Sequence, residues 1–128
     1  MINLLEHCLK EIDLSPYGRG NRNKGTEFIT SSIESFARNQ GLTYEREVFL
    51  GLNRKTSGHK GLVDIVIKNP EGIGYAVEID RSNKKWSLEK LLHAYRKGYM
   101  PIWVRWCTKI NIEIPSVVNL IDLTNKQR

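Results

Sequence analysis

Apolar residues recur at helical spacing over residues 2–12, where Leu4, Leu5, Cys8, Leu9 and Ile12 share one stripe. This predicts a short amphipathic helix packed on the domain or on a second subunit. After a break in the pattern, Thr26 stands where an N-cap would, and Phe28, Ile29, Ile33, Phe36 and Ala37 form the core side of a second helix that runs to about Asn39 and stops at Gly41. The period then shortens. Thr43–Leu52 reads as a strand with Tyr44, Arg46, Val48 and Leu50 on one side. Two more apolar segments, ending at Lys68 and at Asp80, flank a turn with Pro70 and Gly72, and predict a hairpin with Asn69–Ile73 as its loop. Ser87 is placed to cap a helix with the stripe Leu88, Leu91, Leu92 and Tyr95, ended by Gly98. Pro101–Trp106 follows as a buried strand, and because a helix connects it to Tyr75–Asp80 the two strands are expected to be parallel through a right-handed crossover. Val117–Leu123 adds an edge strand, and the TNKQR tail is expected to fray. The resulting class is α/β: a mixed central sheet flanked by helices, core order α-β-β-β-α-β, with an extra N-terminal helix.

Three acids interrupt the central hairpin. A buried carboxylate is costly unless it is paired or bound to a cation, yet Asp64 lies in the first strand and Glu78 and Asp80 in the second. Side chains alternate along a strand, so Glu78 and Asp80 share one face while Val77 and Ile79 take the other. If Lys68 sits opposite Gly74, the same register sets Asp64 opposite Glu78. Like charges so opposed destabilise a sheet. A divalent cation bridging them removes that penalty, and hard carboxylate oxygens suit Mg2+ or Mn2+.

Charge widens the picture. Twenty Lys+Arg against fourteen Asp+Glu give +6, which favours a polyanionic partner. Two basic stretches carry the excess. One is Ser15–Gly25, a loop by composition, with Arg19, Arg22 and Lys24; the other is the polar run before Asp64, with Arg54, Lys55, His59 and Lys60. Each is open to two readings, a solvated loop or an arm contacting phosphates. Glu27 falls opposite its helix's apolar stripe, where it stabilises the helix N-terminus or joins a metal site.

The length suits one domain over 1–128: helix 2–12, basic loop 15–25, core 26–106, and a C-terminal strand and tail 109–128. Cys8 and Cys107 have no metal-ligand spacing and read as buried thiols of a reducing cytosol. No apolar run reaches membrane-spanning length and no signal-peptide pattern opens the chain, so a cytoplasmic protein without membrane contact is expected. No P-loop or dinucleotide fingerprint points to a nucleotide cofactor.

The element order, with GLVDIVI around Asp64 and YAVEID ending in Glu78 and Asp80, resembles the PD-(D/E)XK nuclease superfamily, which includes restriction endonucleases and Holliday-junction resolvases, over roughly Thr26–Trp106. The resemblance implies a restriction endonuclease-like core, Mg2+-dependent hydrolysis of DNA phosphodiesters, Asp64 and Glu78 as metal ligands, and a homodimer where both strands are cut. Two positions depart from the pattern. Val63 replaces its Pro, and Asp80 stands where its Lys belongs. Asp80 then binds metal or acts as base, or Lys84 or Lys85 reaches back to supply the ammonium. The remaining reading is a degenerate site on a nucleic-acid-binding or regulatory subunit.

Overall fold

The computed structural model describes residues 1–18 and 20–125, so Arg19 and the tail Lys126–Arg128 lie outside the described residues. The first stripe forms α1 (Ile2–Lys10), burying Leu5 and Leu9. The glycine- and asparagine-rich stretch expected to be a loop is in part helical. Ser15–Tyr17 is a 3-10 turn started by Pro16, and α2 runs from Arg22 to Asn39 with Asn21 at its N-cap. Thr26 is therefore no cap but an interior residue, and its Oγ1 accepts a hydrogen bond from Trp106 Nε1 at 3.2 Å.

Gly25 explains why composition misleads here. It is not a loop glycine but the point where α2 passes Trp106: a Cβ built on it would lie 2.3 Å from the indole and 2.8 Å from Tyr17 Cβ. Alanine usually helps a helix by about 0.5–1 kcal/mol over glycine, but overpacking a filled core costs about 1–3 kcal/mol. Because Trp106 is fully buried and cannot swing away, Gly25→Ala is expected to lower the urea midpoint without changing its slope.

The strands are β1 (Thr43–Asn53), β2 (Lys60–Lys68), β3 (Gly74–Asp80), β4 (Met100–Trp106) and β5 (Asn119–Leu123), with α3 (Lys85–Arg96) between β3 and β4. They form one five-stranded mixed sheet in the order β1-β2-β3-β4-β5. The first three strands pair antiparallel, and β4 joins β3, and β5 joins β4, in parallel. One sheet face buries Ile67, Val77, Ile79 and Val104 against α1 and α2; the other buries Val66, Ala76 and Trp103 against α3.

Four expected details change. Helix α3 begins two residues before Ser87, whose buried side chain sits inside the first turn. Its stripe is Leu88, Leu91 and Ala94, with Tyr95 exposed. Thr124, expected to fray, is buried, and its hydroxyl donates to Asp122 Oδ1 at 2.7 Å. Nor does β1 keep one side throughout. Tyr44 packs toward α2, while Val48 and Leu50 pack toward α3. Between them Glu47 has φ 55, a left-handed conformation that breaks the pleat's alternation. Strand β2 reverses at the same level: Ile65 faces the α2 layer and Val63 the α3 layer. Asp64 lies between them.

Candidate carboxylate site

The hairpin register is the expected one, with Lys68 opposite Gly74 and Ile65 opposite Val77. Backbone pairing ends there. At the next level Asp64 N–H donates to Glu78 Oε2 at 2.8 Å, and Ile79 N–H donates to Asp64 Oδ2 at 2.8 Å. The two carboxylates thus take the place of ladder bonds, each holding the other strand's backbone. This fixes both acids where the two strands part.

Their electrostatics are strained. Glu78 is 1% exposed, and burial, followed by the charge of Asp64, pushes its carboxyl up to about 8. Burial likewise raises Asp64, against the Ile79 N–H and Lys90. The compensating cation comes from α3: Lys90 Nζ lies 2.8 Å from Glu78 Oε1 and donates to Leu62 O at 2.9 Å. Lys90 was not singled out from the sequence. The signal available was its place one helical turn after Trp86 and Ser87, on the side of α3 that faces the end of β3.

Asp80 is buried beside this pair. Trp103 Nε1 donates to its Oδ2 at 2.8 Å, and Lys84 Nζ lies 3.8 Å from its Oδ1. Lys85 is exposed and does not line the site. Beneath Asp80, wholly buried Arg105 donates to the carbonyls of Asp80 (3.3 Å), Trp106 (3.0 Å) and Thr108 (2.9 Å) and to Asn83 Oδ1 (3.1 Å). It ties the segment after β3 to the turn after β4. Removing such a hub orphans several acceptors at about 1–3 kcal/mol each, partly offset because the guanidinium no longer has to be desolvated. Arg105→Met is expected to destabilise the fold by about 3 kcal/mol in chemical denaturation.

Together these residues border an open cleft of about 370 Å³, with Asp64, Glu78 and Asp80 facing Arg81, Lys84 and Lys90. Thr26 from α2 and Trp86 from α3 complete its walls. Among the described residues no group of three or more His, Cys, Asp and Glu side chains is gathered closely enough to hold a metal ion. The Asp64–Glu78 pair nevertheless has the donor chemistry of a hard-cation site: two carboxylates from facing strands, both driven toward protonation by burial, with the charge of Asp64 adding to the rise at Glu78. Glu27 does not join it. Its carboxylate receives Arg46 at 2.9 Å and 3.0 Å, alongside Glu34, and it sits in the second turn of α2 rather than at the helix start.

The basic candidates divide. Arg22 and Lys24 line a cleft of about 410 Å³ together with Arg81 and Asn23, two residues it shares with the carboxylate cleft. Arg54 and Lys55 line a third cleft, whose wall includes Trp86. His59 and Lys60 lie at the β1–β2 connection, where Arg54 N–H donates to His59 O at 2.8 Å and Lys60 Nζ lies 5.1 Å from the Phe49 ring centre; neither lines these clefts. Among the described residues no helix is long and apolar enough to cross a membrane. Comparison of the chain with models of known families, with curated proteins and with solved structures finds no match.

Proposed function

We propose that this chain is a metal-dependent DNA endonuclease with a restriction endonuclease-like core, hydrolysing phosphodiester bonds at the Asp64–Glu78 cleft. The supporting observation is the reciprocal bonding of Asp64 and Glu78 where β2 and β3 part, with a lysine against Glu78. Asp64 and Glu78 would hold Mg2+ or Mn2+. A bound ion of this kind neutralises phosphate charge and lowers the pKa of a water. The chain's own residues do the rest. Arg81 and Lys84 at the cleft rim attract and orient the phosphate, and Lys90 brings from α3 the ammonium that the strand lacks at Asp80. Asp80, held by Trp103, keeps one oxygen toward Lys84. Arg22, Lys24, Arg54 and Lys55 hold the flanking backbone. One such site cuts one strand, so a homodimer serves double-strand cleavage or junction resolution. A cytoplasmic enzyme fits the reading.

One observation favours a second reading. Lys90 on Glu78 and Lys84 near Asp80 already offset part of the acidic charge, as suits a nucleic-acid-binding or regulatory subunit without chemistry. Supercoiled plasmid with Mg2+ or Mn2+ decides between them. The enzyme nicks or linearises it, and Asp64→Ala leaves it supercoiled. Wild-type protein that cuts no duplex, junction or single strand with either ion establishes the binding reading instead.

A further inference from the structure

We infer that the cleft on the outer side of Trp86 holds an unpaired nucleotide of a DNA strand, its base against the indole and its phosphate among Arg54, Lys55 and Arg96. The inference rests on the nuclease reading and narrows the substrate to DNA with a single-stranded segment at the cut.

The cleft is about 480 Å³, room for one nucleotide. Trp86 belongs to its wall and to that of the carboxylate cleft, so a strand threading one reaches the other across a single side chain. The ring is a seated platform. Its edge lies over Gly61, where a Cβ would come within 2.8 Å of it; Lys90 lies 5.9 Å from its centre, and the Arg54 guanidinium covers the ring at 5.3 Å, so a base takes that face as Arg54 moves out to the phosphate. Trp103 and Trp106 are wholly buried, whereas Trp86 keeps part of its surface in solvent. Against the three cations the cleft sets one acid, Glu89. A cationic groove with an aromatic face is how single strands are gripped, because every unpaired base offers a stacking surface. In an intact duplex that surface is already stacked.

The test is Trp fluorescence of the metal-free protein, titrated with a short oligothymidylate, a blunt duplex of equal length, and thymidine monophosphate. The oligothymidylate is expected to quench at concentrations where the other two do not. Trp86→Phe should keep the affinity and lose the quench, and Trp86→Ala should weaken binding roughly tenfold or more. Oligothymidylate binding with unchanged fluorescence, or equal quenching by the duplex, overturns the inference. Equal quenching by thymidine monophosphate also overturns it, in favour of a mononucleotide site. Quenching by the single strand in a protein that cuts no DNA supports the cleft assignment while sinking the nuclease reading; cutting by a protein whose fluorescence never responds sinks this inference alone.

Discussion

Lys90→Met is expected to slow DNA cleavage about a hundredfold or more, the scale of losing a positioned proton-transfer group, in a variant that still folds and binds DNA. Folding should survive because Glu78, already inclined to keep its proton, can go neutral when its ammonium is removed, and methionine fills the same path over Trp86. What is lost is a charge 2.8 Å from Glu78, beside the phosphate's place in the proposal. The other candidates grade below it. Asp80→Asn keeps an oxygen to accept from Trp103 and removes only the charge facing Lys84 at 3.8 Å, so a smaller loss is expected, while exposed Lys84 and Lys85 should each tolerate Ala with the smallest losses. Single-turnover rates at fixed pH and metal rank the four. If Asp80→Asn costs the hundredfold and Lys90→Met cuts normally, Asp80 is the base and Lys90 only a counter-ion.

The hairpin was legible because the Pro-Gly loop fixes its length, and once Lys68 faces Gly74 the level of Asp64 and Glu78 follows. The parallel crossover to β4 followed from the intervening helix. The reciprocal backbone bonds were not legible. They depend on a reversal of facing at Glu47 and Asp64, and a glutamate in a left-handed conformation leaves no mark in the pattern of apolar residues. Helix starts misled for a related reason: Gly25 resembles punctuation, whereas its missing side chain makes room for Trp106, eighty-one residues later in the chain. Lys90 and Trp86 went unread because a cation and an aromatic on a helix acquire meaning only from the strand end they meet. Asp80 was visible, but its indole partner on β4 was not.

Metal-free protein is expected to lose stability as pH rises from about 5 to about 8, and Glu78→Gln to flatten that loss. The folded-state pKa of Glu78 is raised to about 8, while in the unfolded chain a glutamate titrates near 4.3. Between those values the folded protein carries a proton that the unfolded chain has released, so stability falls with rising pH. The slope is at most roughly 1.4 kcal/mol per pH unit for one group, and it ends once both states are ionised. Asp64 is shifted in the same direction by the same burial and adds to the loss. Gln at 78 carries no titrating proton, so the variant should show the shallower profile whatever its absolute stability. A divalent ion acts in the opposite sense, because it binds the ionised pair and stabilises the folded state by mass action. Mn2+ should therefore raise the melting temperature at pH 8, do little at pH 5, and do nothing for Asp64→Ala at either. Melting curves across this range, with and without Mn2+, carry the test. A wild-type profile that rises from pH 5 to 8 and ignores Mn2+ would mean that the acids are settled by Lys90 alone and that no ion belongs in the cleft.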